Sequence, residues 1–148
     1  MKLDVALGSF KSAFIDSAVI IYFVETHPRY AKITQAIFER ISNQLLQAMT
    51  SPITLAECLV VPQRNHDADM IEAFTQLITS GVGVTFISIG QMVAEQASIL
   101  RSEYKLGLPD ALQLAVSLVS SCDVFLTNDA RLKRVNEVHV LLLDELEL

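Results

Sequence analysis

The sequence predicts an α/β fold, a five-stranded and mainly parallel sheet with helices on both faces. Short apolar runs rich in β-branched and aromatic residues alternate with longer segments of helical period. No internal repeat and no Pro/Gly/Ser linker divides the 148 residues. Acids stand directly after two of the apolar runs, which is where ligands bind in open parallel sheets. A chain of this length has the size of one domain and buries roughly 70% of its unfolded surface, so residues 1–148 are expected to form one unit.

Taken in order, Ala13 to Ile15 is a short strand ending at Asp16, and Val19 to Val24 is a buried helix broken by Thr26, His27 and Pro28. From Tyr30 to Met49, Ile33, Ile37, Ile41 and Leu45 recur every four residues and predict one amphipathic helix. Its tail runs into Met49 to Pro52, a short strand and turn before a helix from Ile53 to Val61 that Pro62 should stop. Asp67 can cap the next helix, with a stripe of Met70, Ile71, Phe74, Leu77 and Ile78. Ser80, Gly81 and Gly83 end it, and Val84 to Ile89 has strand composition. Gln91 to Lys105 repeats Val93, Ala97, Leu100 and Tyr104 at helical spacing. Gly107 terminates that helix, and Pro109 suits the first turn of another, Asp110 to Ser120. Asp123 to Thr127 and Val138 to Leu143 complete the strands. Strands separated by helices pair in parallel, and a parallel sheet is covered on both faces.

Half of the residues (51%) are hydrophobic and the mean hydropathy is +0.41. That is more apolar surface than one small core hides, and it predicts a homodimer or a bound partner. The longest apolar run, Ala18 to Val24, is seven residues and is followed by Glu25, far short of the ~20 that span a bilayer. The first residues lack an apolar stretch of signal-peptide length. Cys58 and Cys122 have no CxxC or Cys/His context and read as buried thiols in a reducing cytoplasm. A net charge of −6 excludes broad electrostatic adhesion to nucleic acid, but not a concentrated acidic site in which bound metal reverses the local sign.

Four acids form that candidate site. Asp16 follows the first strand, Asp129 follows Val124 to Asn128 at the end of the fourth, and Asp110 lies in the first turn of a helix. Glu57 sits in a segment apolar on nearly every side, where an unpartnered carboxylate is costly. Mg²⁺ and Mn²⁺ favour carboxylate and water oxygens, and such a metal activates water and offsets charge on a reacting phosphate. The plain alternative is that Asp16, Asp110 and Asp129 only cap helices or favour their dipoles. Thr127 and Asn128 either terminate a strand or orient Asp129. Arg131, Lys133 and Arg134 contact phosphates or form a solvated basic face. His27, His66 and His139 have no ligand spacing, and Asp144, Glu145 and Glu147 read as a solvated tail.

In order along the chain, FIDSAVIIYFVE, SPITLAECLV, GLPDALQLA and FLTNDARL resemble the PIN-domain family, especially the VapC-like toxins of prokaryotic toxin–antitoxin pairs. The resemblance implies an α/β/α sandwich with an acidic pocket binding Mg²⁺ or Mn²⁺, endoribonuclease activity leaving 5′-phosphate and 3′-hydroxyl ends, and dimers. It maps the family's four metal-site acids onto Asp16, Glu57, Asp110 and Asp129, with Asp16 and Asp110 as direct metal ligands, Glu57 and Asp129 ligating, acting through water or setting local charge, and Thr127 as the small hydroxyl. It also implies RNA as substrate and a small antitoxin that inserts an apolar helix and an arginine. Ala18 departs from the hydroxyl or amide that the family often has there.

Two other classes compete. One is a catalytically silent PIN scaffold that mediates protein association. The other is a phosphotransfer domain of the receiver or haloacid-dehalogenase type, which Ala18 opposes because no DxD follows Asp16.

Overall fold

The computed structural model describes residues 1–148. Five strands, β1 (Ser12–Ile15), β2 (Gln47–Thr50), β3 (Val84–Phe86), β4 (Val124–Thr127) and β5 (Val140–Leu142), pair entirely in parallel in the order β3-β2-β1-β4-β5. Seven helices surround them: α1 (Leu3–Leu7), α2 (Ser17–Val24), α3 (Ala31–Ser42), α4 (Pro52–Arg64), α5 (Ala68–Ser80), α6 (Gln91–Glu103) and α7 (Leu108–Val119). The chain winds outward from β1 to β3, returns beside β1 as β4, and winds outward again. The crevice between the C-terminal ends of β1 and β4 is therefore the switch point at which such sheets bind ligands.

Strand alternation divides the core into two layers. Ala13, Ile15, Val124 and Leu126 face Val19, Ile20, Ile37, Ile41, Phe74 and Ile78. Phe14 and Phe125, stacked with centroids 5.1 Å apart, face Val93, Ala97, Leu100 and Leu114. The result is an α/β/α sandwich with α6 and α7 on one side and the remaining long helices on the other.

Four expectations are corrected. The helix from Tyr30 ends at Ser42, with Gln44 left-handed at φ 61°, because the chain turns into β2, which pairs with β1. Leu45, expected on the buried stripe, is 59% exposed. Gly83, φ +76°, holds this turn against β3, since a Cβ there would meet the Ile41 carbonyl at 2.4 Å. Helix α4 continues through Pro62 to Arg64. Pro62 removes one ladder donor, the helix runs only two residues beyond it, and its ring is buried. The first residues, assigned no element, form α1, which buries Leu3, Ala6 and Leu7.

The C-terminal acids are not a solvated tail. Asp144 accepts from Arg29 and Tyr30, Glu145 pairs with Lys133 and accepts from the Leu142 N–H, and the backbone of Glu147 bridges to Lys2.

Candidate metal centre at the switch point

Asp16 ends β1 and caps α2. Its Oδ1 accepts from the Ser17 N–H at 2.9 Å and its Oδ2 from the Thr127 hydroxyl at 2.7 Å. Thr127 is fully buried at the end of β4 and also accepts from the Asp129 N–H at 3.1 Å, so one hydroxyl ties the two strand ends together. The Ser17 hydroxyl donates to Glu57 Oε1 at 2.6 Å. Asp110 reaches the crevice from the first turn of α7.

All four predicted acids line one polar pocket of about 460 Å³, with Ser17, Tyr22, Thr127, Asn128 and Arg131. They share a cavity rather than a point: no three acidic, histidine or cysteine side chains converge as a ready-made ligand set. No histidine lines the pocket.

Burial pushes the Asp16 carboxyl up to about 6. The Thr127 and Ser17 hydrogen bonds pull the other way, while Glu57 and Asp110 push further upward. Burial also raises Asp110, with Asp129 adding to the shift and Arg131 opposing it. Asp129 differs, because the Arg131 guanidinium hydrogen-bonds it from Nε at 3.0 Å and Nη2 at 2.7 Å and holds it below the usual carboxylate range. The Asp16 side of the pocket thus lacks a counter-charge, whereas Asp129 has one.

This donor set fits a hard divalent cation. Asp16, which no cationic side chain offsets, and Asp110, which Arg131 offsets in part, carry charge that such an ion would balance, and Glu57 accepts from the Ser17 hydroxyl.

The capping alternative is also present in the geometry. Asp16 caps α2, and Asp129 caps the 3₁₀ turn Ala130–Arg134 by accepting from the Arg131 N–H. The capping hydrogen bond lowers the Asp16 value, while burial first and the neighbouring acids after it raise it. Glu57 is corrected on one point: it is not enclosed by apolar residues but exposed on the open side of α4, beside Ala56, Val60 and Val61.

The polar side chain enclosed in an apolar helix is instead Gln113, fully buried in α7. Gln113 receives the Ser51 hydroxyl and donates to Thr54 at 2.8 Å, joining α7 to the capping box that starts α4. This buried network sets the two helices carrying Glu57 and Asp110. A lone glutamine in ALQLAV was its sequence signal. Tyr30 gave no such signal, and it accepts from Asn128 at 2.9 Å and donates to Asp144 at 2.9 Å. Asn128 is thereby fastened to the start of α3. Lys133 is occupied by Glu145, and Arg134 by the Lys105 carbonyl.

A parallel sheet of this order with a carboxylate pocket at its switch point defines a class of α/β domain, and residues 13–138 match the PIN domain profile. The chain belongs to the PIN-domain family. Among solved structures it is similar to VapBC2 from Rickettsia felis bound to a promoter DNA fragment, with TM-score 0.71 and 15% identity, covering 88% of this chain and 98% of that one. It is also similar to a toxin–antitoxin complex from Klebsiella pneumoniae, with TM-score 0.64 and 28% identity over 87% and 95%. A third similar structure is VapC20 from Mycobacterium tuberculosis, a sarcin-ricin loop cleaving toxin, with TM-score 0.69 and 17% identity over 86% and 98%. No curated protein matches the chain in sequence.

Proposed function

We propose that this protein is a Mg²⁺- or Mn²⁺-dependent endoribonuclease and the toxin of a toxin–antitoxin pair. The observation that carries the reading is the gathering of Asp16, Glu57, Asp110 and Asp129 from four elements into one polar pocket at the switch point. Asp16 and Asp110 would hold the ion. When bound, it supplies an acidified water and neutralises charge developing on the phosphate. Thr127 fixes the Asp16 carboxylate, and Ser17 holds Glu57 at the pocket rim, where it can take a proton from water. Asp129 sets the local charge together with Arg131.

Residues 1–148 act as one domain in this reading. Exposed apolar side chains such as Val60, Val61, Met92 and Leu108 favour a homodimer and a small antitoxin that covers apolar surface. No helix is long and apolar enough to cross a membrane. The free thiols, with Cys58 pushed up to about 12 and Cys122 to about 11 by burial, suit a reducing cytoplasm.

The test is cleavage of a mixed RNA panel by protein freed of any partner, with Mn²⁺ or Mg²⁺ against EDTA, alongside Asp16→Asn and Asp110→Asn. Both variants are expected to lose on the order of 100-fold or more in rate, together with Mn²⁺ binding in calorimetry. A folded protein that neither cuts RNA nor binds Mn²⁺ would replace this reading with the silent scaffold.

A further inference from the structure

We propose that Lys105 and Arg134, together with Arg131, form a subsite for a backbone phosphate of single-stranded RNA beside the acidic pocket. The proposal takes its ligand from the nuclease reading but rests on different residues. Lys105, Leu106 and Gly107, in the turn between α6 and α7, line a small cleft with Asp110, Arg131, Leu132 and Arg134. Arg131 and Asp110 line the acidic pocket as well, so the two depressions are neighbours that share these side chains.

Of eleven lysines and arginines, four pair with acidic side chains: Arg29, Arg40, Arg131 and Lys133. Three of the others, Arg101, Lys105 and Arg134, gather at this one turn. Arg134 Nη2 donates to the Lys105 carbonyl, and Arg101 Nε donates to the Leu106 carbonyl at 3.1 Å. Two guanidiniums therefore fasten the turn that presents Lys105 through its carbonyls, and neither is in an ion pair, the Arg134 charge being offset only at longer range by Asp129. In a chain of net charge −6, this places unpaired positive charge directly beside the pocket that repels an RNA strand most strongly.

The start of α7 adds to the same sign, since Gly107 supplies no side-chain cap and a helix N-terminus carries partial positive charge. The Asp110 carboxylate opposes it and confines an anion to the Lys105 and Arg134 side. The cleft is small, about 40 Å³, so the phosphate rests across its mouth. Contacts of this kind carry no base information. The subsite sets the register and affinity of the strand, with the neighbouring phosphate held here while the scissile one lies over the acids.

The test is fluorescence anisotropy with a fluorescein-labelled, mixed-sequence single-stranded RNA of about 16 nucleotides, in Ca²⁺ at several salt concentrations, with the strand checked intact afterwards. Lys105→Ala/Arg134→Ala is expected to weaken binding about 10-fold and to flatten the salt slope by about 0.7 for each phosphate no longer neutralised. Lys32→Ala/Arg64→Ala removes the same net charge from exposed positions outside both depressions and is expected to stay within about 2-fold. Equal weakening in the two doubles, none in the first, or no binding by the wild type overturns the subsite. Should the first double unfold, Lys105→Ala carries the test, because the backbone carbonyl that receives Arg134 remains. Mn²⁺ calorimetry reports separately on the acids. Wild type that binds RNA through Lys105 and Arg134 but takes up no Mn²⁺ leaves the subsite standing and removes the nuclease reading.

Discussion

Asp16 and Asp123 flank the same strand pair at opposite ends, and each carboxylate accepts two hydrogen bonds. Asp123 takes the N–H groups of Lys11 at 2.7 Å and Ser12 at 3.1 Å, is largely open to solvent, and is held below the ordinary carboxylate range by those bonds. Asp16 takes an N–H and a hydroxyl at similar distances and is nevertheless pushed up to about 6. Satisfied hydrogen bonds therefore do not separate the structural end of the sheet from the end proposed to hold the metal. Burial and the neighbouring acids do, at the end where four elements deliver carboxylates to one cavity.

The largest effect expected from this contrast is a reversal of pH dependence. Asp16 has a raised value in the folded protein, so its favourable contribution is present below about pH 4 and is lost as pH rises through about 6. Metal-free wild type should lose about 2 kcal/mol relative to Asp16→Asn between those limits, allowing for the open side of the pocket. Urea melts of both proteins from pH 4 to 7.5 in EDTA check this, and parallel curves would rule out crowding of the acids as the cause.

A smaller effect is expected at the hydroxyl joining the two strand ends. Thr127→Val removes the donor to Asp16 and the acceptor for the Asp129 N–H, and should weaken Mn²⁺ binding about 10-fold, as for other groups that orient metal ligands. Calorimetry together with a thermal melt separates this from a loss of fold.

The smallest effect belongs to the far end. Asp123→Ala should cost about 1 kcal/mol, like a missing cap, and leave Mn²⁺ affinity unchanged. Its pH dependence has the ordinary sign: the stabilisation is present above the usual aspartate value and disappears as pH falls through the lowered one. A change in Mn²⁺ affinity in this variant would mean that the two ends are coupled through β1 and β4.

Much of this layout is legible in single residues. The alternation of Ala13, Phe14 and Ile15 between the two layers, the cap at Asp67 and the first turn of α7 at Pro109 follow from local chemistry that does not depend on distant partners. The errors arose where a local rule met a tertiary demand. The four-residue stripe carried the helix on to Leu45, but β2 had to begin at Gln47 to pair with β1. Pro62 marked an end to α4, but the helix runs two residues past it to Arg64, with the proline ring packed in the interior. Glu57 does line the pocket, yet the cost of burying a lone polar group falls on Gln113, because the sequence does not say which face of α4 is open.

The sequence by itself determined the α/β class, the two apolar layers and the identity of four acids, since periodicity and residue type act over a few positions. Only the tertiary structure decided that the acids differ from one another. Whether a carboxylate lies under Thr127 and beside other acids, or against Arg131, depends on which strand ends and helix termini meet at the switch point. Both burial and Coulomb interaction are set by distance in space, which sequence separation does not fix.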